Sequence, residues 1–256
     1  MLKIHHLRNA SMVIETEKDV ILIDPMLGPK GSMATFTFFR FKAQKNPIVP
    51  LPESCQKILK KVTHCLITHK HPDHIDPEAE RFLSENKIPV TCSVNDKKLF
   101  KKKGLNVVQT LEYWEKTSFL GGTIEGIPAR HGYGFVAKPM GNVMGFYIEL
   151  PNQKSIYLSS DTIYTNAIDK VLKEYQPEIS VVASGTAQLD VFQPLLMNMK
   201  DILRFVKNNS GKVIANHLEA VNHCPTTRIG LREELEKNGL SEKVSIPIDG
   251  EVMDFT

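Results

Sequence analysis

The residues best suited to chemistry are concentrated in one short segment. Residues 67–76, Ile-Thr-His-Lys-His-Pro-Asp-His-Ile-Asp, carry His69, His71, Asp73 and His74 in the pattern H-x-H-x-D-H. Four metal-capable side chains so close together are rarely needed for packing, and a polar surface loop does not account for the density. Imidazole nitrogens and carboxylate oxygens suit zinc at about 2.0–2.2 Å. So short a stretch does not easily turn all four side chains onto one ion without strain. Two adjacent ions offer a natural division, with further ligands drawn from elsewhere in the chain.

Three apolar runs end at further side chains of the right kind. His131 follows Gly122 to Pro128, Asp161 follows Ser155 to Leu158, and His217 follows Lys212 to Ala215. Each alone reads as an ordinary surface or core residue; beside the cluster they read as ligands. Asp24 closes the run Val20 to Ile23 just before Pro25. There it either caps a turn or orients a ligand histidine.

Several polar residues flank these positions. Glu219, Asn222 and His223 follow His217 and are candidates for lining a substrate pocket or assisting proton transfer, against the alternative of a polar loop leading into a helix. Arg130 and Lys70 adjoin ligands and are candidates to meet an anionic substrate, although neighbours along an extended chain point to opposite sides. Tyr133 is a candidate hydrogen-bond partner for substrate or a packing residue, while His5, His6 and His64 read as structural.

The elements that must position these groups alternate along the chain. Strand-like runs open it at Leu2 to Leu7, Ser11 to Glu15 and Val20 to Ile23, with Glu17, Lys18 and Asp19 as turn residues of a hairpin. Helices are predicted over Glu53 to Val62, Pro77 to Asn86, Asp96 to Lys103, Asn166 to Glu174, Lys200 to Lys207 and Thr227 to Lys237. Strands are predicted at His64 to Thr68, Val90 to Ser93, Gly122 to Pro128, Val143 to Glu149, Ser155 to Leu158, Ile179 to Ala183 and Lys212 to Ala215. Mixed strands with covering helices imply a layered α/β domain. Residues 25–52 break the alternation with Gly28, Pro29, Gly31, Pro47, Pro50 and Pro52 around a Phe36–Phe41 aromatic stretch. So long a loop reads as a lid or substrate wall, as a small satellite core, or as a subunit interface.

The 256 residues are 41% hydrophobic and 24% charged, which suits one sizeable folded core and argues against extensive disorder. We expect a single domain over 1–256. The net charge of +3 is mild. The densest basic run, Lys97, Lys98 and Lys101 to Lys103, reads as a solvated helix face, so a nucleic-acid partner is disfavoured. No stretch reaches the ~20 apolar residues needed to span a bilayer. The N-terminus lacks the pattern of a secretory signal, and Cys55, Cys65, Cys92 and Cys224 form no C-x-x-C. A cytoplasmic location with reduced thiols is the expectation.

With these motifs in view, the chain resembles the metallo-β-lactamase superfamily, and more closely its L-ascorbate-6-phosphate lactonase-like branch. The resemblance runs over nearly the whole chain, from Asp24 through the His69–His74 motif to His131, Asp161 and His217. It implies an α/β (α+β) fold, a four-layer αββα sandwich with the site at one edge. It also implies that His69, His71 and His131 hold one metal, that Asp73, His74 and His217 hold a second, that Asp161 bridges both, and that Asp24 orients a ligand histidine. Two divalent ions are expected, zinc first, with manganese or iron as alternatives.

The mechanism expected from such a site uses a metal-bridging hydroxide on a carbonyl or phosphoryl centre, with Asp73 as ligand and proton shuttle. The substrate expected is a small molecule, anionic in one reading, either a lactone or a phosphoester. An iron-dependent redox enzyme is the alternative, with a nuclease below it for want of a nucleic-acid-gripping insertion. A homo-oligomer is compatible with the sequence.

Overall fold

A computed structural model describes residues 1–256. Its first half consists of β1 (Lys3–Arg8), β2 (Ser11–Glu15), β3 (Val20–Ile23), α1 (Cys55–Leu59), β4 (His64–Ile67), α2 (Pro77–Glu85), β5 (Pro89–Ser93), α3 (Lys97–Lys102) and β6 (Asn106–Leu111). The second half consists of β7 (Lys116–Phe119), β8 (Gly122–Pro128), a short α4 (Ala137–Met140), β9 (Met144–Glu149), β10 (Ile156–Leu158), α5 (Asn166–Lys170), β11 (Ile179–Ala183), α6 (Met199–Asn208), β12 (Lys212–Asn216), α7 (Arg228–Lys237), β13 (Val244–Ser245) and β14 (Val252–Asp254).

Two seven-stranded sheets form, in the orders β14-β1-β2-β3-β4-β5-β6 and β13-β12-β11-β10-β9-β8-β7. In the first, β1 to β3 is an antiparallel meander, and β3 to β6 are parallel, as helical crossovers require. In the second, β7 to β10 are antiparallel and β10 to β13 parallel.

Side-chain alternation explains the layers. Ile4, Met12, Ile14, Ile21 and Leu66 of the first sheet meet Phe146, Ile148, Leu158, Val181 and Ile214 of the second in one buried cluster. The opposite face of the first sheet, with Val13, Leu22, Cys65 and Val90, packs under Ile58, Ala79, Leu83 and Phe100 of its helices. The outer face of the second, with Tyr157, Val182 and Val213, packs under Ile202, Phe205 and Leu231. Each fully buried Ile, Leu, Val or Phe contributes about 1.5–3 kcal/mol relative to exposure. The result is the expected αββα sandwich, a metallo-β-lactamase fold. No helix is long and apolar enough to cross a membrane.

The main differences from sequence expectation are at edges. Strands β6, β7, β13 and β14 were not legible, because β6 and β7 are mostly half-buried or exposed and carry no clean apolar alternation, and β13 and β14 are only 2 and 3 residues long. The helix at Glu53 to Val62 contracts to Cys55–Leu59. The helix at Asn166 widens to a π-helical turn over Val171–Tyr175.

Candidate metal centre

The candidate ligands, and Asp24 behind them, all leave the carboxyl ends of strands along one edge of the sandwich. Asp24 follows β3, the 69–74 segment follows β4, His131 follows β8, Asp161 follows β10 and His217 follows β12. Three of these exits are sharp: Asp24, Ser160 and His217 have φ of 44°, 59° and 60°. Non-glycine residues in this left-handed region cost of order 1 kcal/mol or more, and such strain gathers at functional sites. The following helix begins cleanly, because Asp76 accepts from the Ala79 amide and Pro77 fills the first helical position.

Two groups of ligand atoms result. His69, His71 and His131 form one, and Asp73, His74, Asp161 and His217 the other; within each group the atoms lie within 4.8 Å of one another. Asp161 stands between the groups, its Oδ2 3.2 Å from His74 Nε2, 3.5 Å from His217 Nε2 and 3.6 Å from His131 Nε2. Asp73 Oδ2 lies 3.3 Å from His217 Nε2.

These residues fit a metal on a criterion internal to the fold. His69 Nε2 and Asp161 Oδ1 are buried without any hydrogen-bond partner. Leaving such atoms unpaired costs roughly 1–3 kcal/mol each, and more for a charged group. Divalent cations satisfy both, and a histidine–carboxylate set is the donor chemistry of zinc.

The far side of the imidazoles is held by a surrounding layer. His74 Nδ1 is 2.9 Å from Asp24 Oδ2, and the same oxygen accepts from Thr68 Oγ1 at 2.7 Å. Asp24 Oδ1 accepts from the Thr68 amide at 2.8 Å. Thr68 Oγ1 also meets His69 Nδ1 at 2.9 Å, His131 Nδ1 donates to the Leu195 carbonyl at 3.1 Å, and Cys224 Sγ lies 3.4 Å from His217 Nδ1. Each contact engages Nδ1 and leaves Nε2 for an ion, the arrangement that orients metal-binding histidines. Thr68, Leu195 and Cys224 were not singled out from the sequence; only adjacency to a ligand marked Thr68.

Electrostatics divides the histidines. Burial lowers His69 well below its ordinary value, and burial with the neighbouring His131 brings His71 to about 4. Burial also opposes charge on His74, but Asp161 and Asp24 outweigh it and raise His74 to about 10. Asp161 and Asp73 are held well below the carboxylate range: burial acts against this, and His217 and His74 overcome it. The second group is therefore a lattice of opposite charges whose protons an incoming cation would displace.

A cleft opens beside the candidate ligands. His71, Asp73, His131 and His223 line its polar side; Phe36, Met140, Leu189 and Leu195 form apolar walls. Phe36 comes from the long 25–52 loop, which is firmly tied down. Asn222 Oδ1 accepts from the Phe36 amide at 3.0 Å, and its Nδ2 donates to Thr35 Oγ1 at 2.8 Å and the Thr37 carbonyl at 2.9 Å. Asp190 accepts from the amides of Phe38, Phe39 and Arg40 at 2.8–2.9 Å. The Arg8 guanidinium, buried, donates to the carbonyls of Met26, Gly28 and Val49. The segment is a fixed wall whose tip leaves Phe38 and Phe39 exposed.

Of the candidate substrate contacts, only His223 lines this cleft. Asn222 is instead the anchor of the loop, its amide consumed by the contacts above. Glu219 is absent from the cleft lining and pairs with Arg228. Tyr133 gives its hydroxyl to Asp201. Arg130 is exposed and contributes its backbone, accepting from Ile163 N and donating to Thr162 Oγ1, and Lys70 is exposed outside the cleft lining.

Residues 20–216 match the Beta-lactamase superfamily domain family. The chain is 34% identical over 256 residues to the UPF0173 protein YddR of Bacillus subtilis, covering 99% of this chain and 100% of that protein. The chain belongs to the metallo-β-lactamase superfamily, UPF0173 family. A UPF0173 metal-dependent hydrolase of Brucella anthropi is 24% identical over 72% of this chain and 73% of its own length. Two solved structures superimpose at a TM-score of 0.90 with 30% identity and 99% coverage of both chains. One is a possible metal-dependent hydrolase from Veillonella parvula, the other an isothiocyanate hydrolase from Delia radicum gut bacteria. This UPF0173 protein is accordingly a metal-dependent hydrolase, with a His/Asp cluster able to hold metal.

Proposed function

We propose that this UPF0173 chain is a binuclear, zinc-first hydrolase of small uncharged substrates that carry an apolar substituent, with isothiocyanates, R–N=C=S, as the leading class. The observation that carries the reading is the cleft wall: no lysine or arginine lines it, whereas Phe36, Met140, Leu189 and Leu195 do. An anionic substrate would find no counter-charge there apart from metal, so phosphoesters rank below uncharged carbon electrophiles. The isothiocyanate hydrolase at 30% identity supports the same class. Lactones, suggested by the lactonase-like motif pattern, also present an uncharged unsaturated carbon and rank second.

In this reading His69, His71 and His131 hold one ion, and Asp73, His74 and His217 the other, with Asp161 between. Such a pair, when bound, would supply Lewis acidity and lower the pKa of a water toward neutrality. The chain's own groups do the rest. Asp24 and Thr68 fix the rings of His74 and His69. Asp73, which lines the cleft, takes the proton that the attacking water gives up and passes it to the substrate nitrogen. The apolar walls seat the substituent R and exclude bulk water. Water adds to the central carbon to give R–NH–C(=O)–SH, which breaks at C–N to release R–NH2 and carbonyl sulfide. Four free, buried cysteines suit a reducing cytoplasm, where we place the enzyme.

The test is metal analysis of protein purified without chelator, followed by turnover of allyl and benzyl isothiocyanate, a γ-lactone and p-nitrophenyl phosphate. About two zinc or manganese ions per chain and amine release from the isothiocyanates are expected. Bound iron would redirect the reading toward redox chemistry. Turnover of the phosphoester alone would overturn the substrate class.

A further inference from the structure

His223 belongs to neither ligand group, yet it is the one additional ionisable side chain on the cleft. It is 5% exposed. Its Nδ1 is buried with no partner, which leaves Nε2 as the ring nitrogen on the open side. A buried N–H without an acceptor is costlier than an unprotonated nitrogen without a donor, so the proton resides on Nε2.

The ring is held in place. Phe36 stands perpendicular to it at 4.9 Å between centroids, the His223 carbonyl accepts from the Gln188 amide at 2.9 Å, and the preceding Asn222 is bound into the 25–52 loop. Its centroid lies 6.3 Å from that of His217, next to the ligands but outside them. Nδ1 is sealed inside the protein and no side chain or backbone group meets Nε2, so the Nε2–H is the ring's remaining group for a partner from outside the chain.

We propose that His223 is a catalytic residue of this site, donating an Nε2–H hydrogen bond to the substrate heteroatom that gains negative charge as water adds to the adjacent carbon. The identity of that heteroatom, the nitrogen or sulfur of R–N=C=S, rests on the substrate reading above; the hydrogen bond itself does not. No proton need leave His223. The donor is pre-aimed and costs no reorganisation when charge develops, which is the condition for effective stabilisation of a transition state. Phe36, packed on the same ring, becomes the residue that couples fit of the apolar substituent to placement of the donor.

The experiment compares wild type, His223→Leu and His223→Gln. It measures metal content, thermal midpoint, turnover of benzyl isothiocyanate, and calorimetric affinity for benzylthiourea, an uncharged and unreactive mimic of the hydrated substrate. All three proteins should bind equal metal. His223→Leu should lose about tenfold to a hundredfold in kcat with a smaller change in KM, and His223→Gln, which keeps an N–H donor, should recover part of that. Benzylthiourea should bind His223→Leu several-fold more weakly than wild type. Wild-type kcat and benzylthiourea affinity in His223→Leu would overturn the proposal. Loss of metal from both variants would also overturn it, by making His223 a support of the ions. If wild type hydrolyses no isothiocyanate, the substrate reading fails separately, and the benzylthiourea comparison still decides the role of His223.

Discussion

Asp24 Oδ2 receives His74 Nδ1 at 2.9 Å and Thr68 Oγ1 at 2.7 Å, so one carboxylate oxygen holds both the residue that precedes the metal motif and the motif's last histidine. Through Thr68 it also reaches His69. Asp24→Asn would retain the size but present an amide where an acceptor is needed. We expect a 10–100-fold loss of zinc affinity, read by competition with a chromophoric chelator, with the fold retained by circular dichroism.

Asp161 is within 3.6 Å of histidines from both ligand groups. Asp161→Ala should therefore weaken both ions together, whereas His71→Ala should chiefly weaken one. Elemental analysis of the two variants after dialysis distinguishes the cases. Equal metal content in Asp161→Ala and wild type would remove Asp161 from the centre.

Asn222 holds the 25–52 loop at Thr35, Phe36 and Thr37 from 185 or more residues away in the chain. Asn222→Ala removes these bonds and leaves buried backbone groups unpaired. A stability loss of about 2–4 kcal/mol by urea titration is expected. Protease cleavage near Phe38 and Phe39 should become faster, because the wall then opens as a flexible loop.

His64 gives a pH dependence away from the metal. Burial lowers it to about 4 from an ordinary 6.5. The unfolded chain thus takes up a proton below about pH 6.5 that the folded chain refuses until about pH 4. Its contribution to stability is fully present above pH 6.5 and is lost as pH falls, by up to about 3 kcal/mol. His64→Leu should flatten that part of the stability–pH curve between pH 7 and 4, and an unchanged slope would contradict the assignment.

The candidate ligands and their placement at strand ends were legible because residue type and strand pattern are local properties. H-x-H-x-D-H lies within one turn after β4, and each of His131, Asp161 and His217 ends an apolar run whose alternation marks a buried strand. A layered α/β domain followed from the alternation of strands and helices, whereas the four-layer αββα order came from the resemblance to the metallo-β-lactamase superfamily. Short edge strands were not legible, since 2 or 3 residues carry no measurable period.

What only the tertiary structure decided is which flanking polar groups face the cleft. His223 and Asn222 are adjacent and equally polar, yet one lines the cleft and the other is spent on a loop from the opposite end of the chain. Glu219 is captured by Arg228 and Tyr133 by Asp201. The cleft is assembled from segments near residues 36, 71, 140, 189 and 223, and no pattern within any one of them records the others. Spacing along a strand determines which residues can reach a metal; which side chain remains free for substrate depends on partners brought together only when the sheets pack.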